Sequence, residues 1–84
     1  MPDIGHDEIA ERIRAKIRVG ALPVDRPEKV YVGRGTGHPC SGCEWPLLDT
    51  ELEYEFDAAG DRIVRFHQPC LAAWHAERAK PAAR

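Results

Sequence analysis

Three cysteines and one histidine fall into two pairs, Cys40-Ser41-Gly42-Cys43 and His67-Gln68-Pro69-Cys70. Two residues stand between the ligands of each pair, and twenty-three separate Cys43 from His67. This is the spacing of a structural zinc site, in which thiolates and an imidazole surround a tetrahedral ion. Cys40, Cys43 and Cys70 would bind as thiolates and His67 as neutral imidazole, giving a site of net charge −1 around one Zn²⁺. Four protein ligands leave no open position for water or substrate. The expectation is therefore a structural ion, no catalytic residues and no enzyme activity. Three cysteines cannot all pair within the chain, so a disulfide framework is a poor account of them. His38 is near enough in sequence to compete as a ligand, but His67 sits in the better pair.

The flanking sequence says how these ligands are positioned. Cys40-Ser-Gly-Cys43 reads as a knuckle in which Gly42 adopts positive φ so that amides point at the sulfurs, with Leu47 and Leu48 as candidates to pack beneath it. Glu51-Leu52-Glu53-Tyr54-Glu55-Phe56 alternates strictly and predicts a strand with its glutamates on a solvated face. Asp57 to Asp61 reads as a turn, and Arg62-Ile63-Val64-Arg65-Phe66 as the returning strand, with Arg62 and Arg65 opposite the glutamates. That strand delivers His67. Gln68 is then a candidate N-cap, Pro69 suits the first helical position, and Cys70 lies in the first turn of a helix that Pro81 ends. Leu71, Ala73 and Trp74 give this helix its apolar side.

Upstream, Asp7 to Val19 is helical in pattern. Ile9, Ile13 and Ile17 recur every four residues, acids come early and bases late, and Gly20 follows as a stop. This stripe is expected to pack on the hairpin of its own chain or on a partner, either another protein or a second copy. Leu22 to Arg26 reads as an extended linker between Pro23 and Pro27, and Lys29 to Val32 as a short strand. Gly33-Arg34-Gly35-Thr36-Gly37 lacks the spacing of a dinucleotide loop and is not followed by Gly-Lys-Ser/Thr, so it reads as a flexible approach to the first ligand pair. The organisation is thus an N-terminal amphipathic helix over 1–22, a proline-containing linker over 23–29 and a zinc module over 30–84. The fold class is small α+β.

Knuckle, β-hairpin and a helix carrying the second ligand pair in its first turn resemble a treble-clef zinc finger. One Cys-x-x-Cys…His-x-x-Cys half of a LIM domain is the nearest named likeness, although the gap here is longer and the second zinc site is missing. The run Gly-x-Gly-x-Gly…Pro-Cys-x-x-Cys…Glu-Tyr-Glu…Arg-Phe-His-x-x-Cys-x-x-x-Trp is also similar to a group of small bacterial proteins without an established activity. The resemblance covers roughly residues 30–77 and implies the ligand assignment. Treble-clef and LIM-like modules commonly bind other macromolecules. His6-Asp7-Glu8 with Pro39-Cys40-Ser-Gly-Cys43 also matches the H-x-E…P-C-x-x-C pattern of zinc deaminases. That reading makes Glu8 a proton shuttle but leaves His67 and Cys70 without a purpose.

Composition bounds the alternatives. Eighty-four residues bury a small core that often needs a staple, and a structural zinc contributes about 10–16 kcal/mol to small fingers. The net charge is −2, so the whole molecule is no electrostatic trap for nucleic acid. The charge is uneven, however: residues 38–61 carry seven acids and no Lys or Arg, which would repel phosphate and favours a protein partner. Nucleic-acid binding is the second reading, should Arg12, Arg14, Lys16, Arg18, Arg34, Arg62 and Arg65 gather on one face. No apolar run approaches the roughly 20 residues of a membrane span. The first six residues lack the features of a signal peptide, and cysteines available as thiolates point to a reducing cytoplasm.

Overall fold

The computed structural model describes residues 5–80 and, at His6, the backbone alone. Helix α1 (His6–Arg18) is followed by strands β1 (Tyr31–Arg34), β2 (Leu52–Ala58) and β3 (Arg62–Phe66) and by helix α2 (Gln68–Arg78). The strands form one antiparallel sheet in the order β1-β2-β3. The expected hairpin is therefore β2–β3, and the short strand before the glycines extends it by one strand. β1 itself runs through Gly33 and Arg34, so the first two residues of the expected flexible approach are ordered sheet. Gly35 follows because a side chain there would collide with the backbone carbonyls of Leu47 and Leu48.

Register places Phe56 opposite Val64 and Tyr54 opposite Phe66. Phe56, Val64 and Phe66 are buried on one face, under Trp74 of α2. The Trp74 ring lies 4.9 Å from Phe56 and 5.7 Å from Phe66, centroid to centroid. The alternation expected of β2 is only partly realised. Leu52 is half exposed, whereas Glu53 is 4% exposed on the face assigned to solvent. Glu53 is buried because it is partnered: the Thr36 hydroxyl and amide donate to its Oε1 at 2.8 and 3.1 Å, and Arg65 Nε lies 3.4 Å from Oε2. A strand read by alternation alone cannot show that the loop after β1 folds over this face.

The backbone of helix α1 lies against α2, and its isoleucines join a core cluster that also holds Phe56, Val64 and Phe66 of the hairpin. Ile9 and Ile13 are buried in the chain's own core and Ile17 is partly buried. Ile9 and Ile13 are thus covered by their own chain, and Ile17 is covered in part. Arg14 and Glu77 join the two helices, with Nε donating to Oε1 at 2.9 Å. The segment after α1 is fixed to the same core. Leu22 is 3% exposed, Trp74 Nε1 donates to the Pro23 carbonyl at 2.8 Å, and Arg62 donates to the Gly20 carbonyl at 3.0 Å. Arg62 therefore serves the helix end, and Arg65 is the base that meets Glu53 and Glu55 among the described residues, Glu55 across the β2–β3 pair. Pro81 lies outside the described residues. α2 has already ended at Arg78.

Candidate metal centre

Residues 37–47 fold into a narrow loop that presents the first ligand pair. The Gly37 and Cys40 amides donate to the carbonyls of Leu47 and Trp45, at 2.8 and 2.9 Å, and the Leu47 amide donates to the His38 carbonyl at 2.8 Å. Leu47 is buried beneath, while Leu48 is half exposed. At the tip, the Gly42 amide donates to Cys40 Sγ at 3.4 Å, as expected for a thiolate-holding turn. Positive φ falls on Glu44 (69°), not on Gly42. Glycine is needed at 42 for space: a Cβ there would stand 3.0 Å from Cys70 Cβ, 3.3 Å from Ile13 Cδ1 and 3.3 Å from Phe66 Cε1. A side chain at 42 would thus require Cys70, Ile13 and Phe66 to give by a few tenths of an ångström.

The second pair comes from the junction of β3 and α2. His67 is the N-cap with extended backbone, one position earlier than Gln68, so Pro69 stands one residue further into the first turn. Cys70 follows in that turn and is fully buried. The Ser41 amide donates to the Arg65 carbonyl at 2.6 Å and Ser41 Oγ accepts from the Arg65 amide at 3.0 Å. These two bonds fasten the knuckle to the outer edge of β3 and so fix one ligand pair against the other.

The four ligand atoms of Cys40, Cys43, His67 and Cys70 all lie within 4.8 Å of one another, and all four residues are buried. A tetrahedral ion with bonds of about 2.3 Å would set its sulfurs about 3.8 Å apart, so modest contraction would complete the sphere. His67 Nδ1 lies 3.4 Å from Cys43 Sγ. His67 Nε2 points away, 3.2 Å from Glu51 Oε1 and 3.3 Å from the Pro46 carbonyl. The tautomer that fits carries its proton on Nε2, donates it to these oxygens and leaves the Nδ1 lone pair for a metal.

The three sulfurs do not ionise independently. Cys40 accepts from the Cys70 thiol, which holds its pKa down to about 4. Cys70 is pushed up by donating to Cys40 and by burial, and Cys43 is pushed up chiefly by burial. Three buried sulfurs at this separation cannot all ionise beside one another unless a positive charge sits among them. The set could hold one metal ion of a type that thiolate and imidazole favour, and with four donors it would leave no open position.

The other histidines fall elsewhere. His38 Nδ1 is 2.6 Å from the Thr36 hydroxyl and is exposed. Of the deaminase pattern, Glu8 is exposed beside Arg12, with an Nη2–Oε1 distance of 3.5 Å, and the His6 side chain lies outside the described residues. Two supports of the site escape a reading of the sequence. Glu51 was assigned only to the alternating strand. Helix α1 backs the knuckle with Ile13, with Arg12 donating to the Cys43 carbonyl at 3.3 Å and with Lys16 3.1 Å from Glu44. Neither carries a local signal, because each is defined by a partner distant in sequence. No family model, curated protein or solved structure matches the chain.

Proposed function

We propose that the chain is a zinc-stabilised treble-clef module that binds a protein partner and performs no chemistry of its own. The observation carrying this reading is the buried set of four donors: it supplies three sulfurs and one nitrogen to a single ion and keeps nothing in reserve for a substrate. Zinc is the ion that such donors favour in a tetrahedral site. A protein partner is favoured over nucleic acid by the state of the basic side chains. Arg12, Arg14, Lys16 and Arg65 are paired with acids, and Arg62 is held on backbone carbonyls. The engagement of these five weighs against an open basic stripe. Apolar side chains stand exposed instead on the sheet, among them Tyr31, Val32, Leu52 and Ile63. Among the described residues, no helix is long and apolar enough to cross a membrane.

Two measurements on the zinc-loaded chain test this function. Titration with nonspecific duplex DNA at increasing salt is expected to show no steep dependence. A strong affinity with a steep negative log–log slope would move the function to nucleic acid. Affinity capture is expected to recover a protein that is lost when Leu52→Lys is used as bait. Equal recovery by both baits would remove the sheet as the binding surface.

A further inference from the structure

We infer that the partner received by the sheet is a second copy of this chain, joined antiparallel along β1 into a continuous six-stranded sheet. The inference rests on the reading of the chain as a zinc-stabilised protein-binding module and specifies its surface. The two edges of the sheet are treated differently. The outer edge of β3 is occupied by the knuckle through Ser41 and Arg65. Among the described residues, no strand lies on the outer edge of β1, and all four of its residues are exposed. An open edge with apolar side chains is a template for another strand.

The hydrogen-bond phase shows which groups that edge offers. The Gly35 amide donates to the Glu51 carbonyl at 2.9 Å, and β1 pairs with β2 in the same register, Gly33 with Glu53 and Tyr31 with Glu55. Residues 31, 33 and 35 therefore turn their amides and carbonyls towards β2. Val30, Val32 and Arg34 turn theirs outward. The same alternation carried across β2 turns Arg65 outward on β3, where Ser41 meets it, so the phase is consistent over the whole sheet.

A twofold pairing must match outward residues with outward residues. Centred on Tyr31, it sets Val30 against Val32 of the second copy and brings Glu28, at the bend three residues before the strand, towards Arg34 of the second copy. Both matches occur twice by symmetry. Centring one residue earlier sets Arg26 against Arg34, and one residue later sets Val30 against Arg34. The Tyr31-centred register is thus the one with apolar pairs at its middle and opposite charges at its ends. Val30, Val32 and Leu52 share a face of the sheet and are exposed. In the dimer Val30 and Val32 meet Val32 and Val30 of the second copy, and Leu52 lies beside Arg34 at the end of that strip.

Sedimentation equilibrium of the zinc-loaded full chain, from low-micromolar to millimolar concentration, tests the pairing. The expected mass rises from the 9.4 kDa of one chain to twice that value. Val32→Pro removes only an outward amide, spares the β1–β2 ladder and should leave a monomer with its zinc content unchanged. Arg34→Glu should weaken the dimer at least tenfold, and Glu28→Arg combined with Arg34→Glu should restore it. The charge pair decides the matter if the proline variant fails to retain zinc. A chain that stays monomeric throughout, or a dimer indifferent to both Val32→Pro and Arg34→Glu, overturns the inference. Monomeric chain with zinc bound and a protein partner lost on Val32→Pro would overturn the second copy while keeping the module. Absence of zinc would overturn the module itself.

Discussion

His67 shows how much of the centre depends on atoms outside the ligand set. Its Nδ1 faces the sulfurs only because Nε2 is engaged by Glu51 and the Pro46 carbonyl. Such an outer partner fixes ring orientation and raises the basicity of the ligating nitrogen. Glu51→Ala is therefore expected to weaken zinc binding about 10–100-fold while leaving one ion per chain at saturation. His67→Ala and Cys70→Ala should lose metal as completely as Cys40→Ala, because each opens a closed sphere. Competition with a chromophoric chelator reads all four variants. An affinity for Glu51→Ala equal to the parent's would mean that the ring is oriented by the Pro46 carbonyl alone.

At the scale of elements, α1 and the knuckle behave as one packed unit. Ile13 is fully buried and reaches the space that Gly42 leaves open. Ile13→Ala should cost about 2–5 kcal/mol, and Gly42→Ala about 1–3 kcal/mol by overpacking the same contact. Thermal melts of the zinc-loaded variants measure both, and Gly42→Ala should also weaken metal binding because it separates the knuckle from Cys70. An unchanged melting temperature for Ile13→Ala would remove α1 from the support of the site.

Much of this arrangement was legible in the sequence. The ligand pairs, both helices and the β2–β3 hairpin follow from spacing and periodicity, since each is set within a few consecutive turns or strands. What was not legible depends on long-range packing. The direction in which the isoleucine stripe faces, the burial of Glu53 and the role of Arg62 are decided by distant partners, 63 residues apart for Arg14 and Glu77 across the two helices, 17 for Glu53 and Thr36, and 42 for Arg62 and Gly20. The glycine at 42 was recognised, but its reason lies in the approach of three other segments and not in its own dihedral.

At the scale of the molecule, one ion pair ties the two helices and gives the fold a dependence on pH. Glu77 is buried, and donation from Arg14, followed by that from Lys80, holds its carboxyl below the usual carboxylate range. A carboxyl depressed in the folded state contributes stability that is fully present above its unfolded value, near 4.5. That contribution is lost as pH falls through the folded value. Zinc release in acid is common to the parent and to Glu77→Gln, so their difference isolates the pair. The difference in unfolding free energy is expected to be constant above neutral pH and to shrink as the pH falls below about 5. A difference that stayed constant into the acid range would show that the pair is not linked to folding.

The closed S₃N centre is the claim on which the fold and the function both depend, and X-ray absorption at the zinc edge of the metal-loaded chain tests it most directly. The account predicts four-coordinate zinc with three sulfurs at about 2.3 Å and one nitrogen at about 2.0–2.1 Å. A first shell with fewer sulfurs and a bound water, or a chain that takes up no metal, would contradict it.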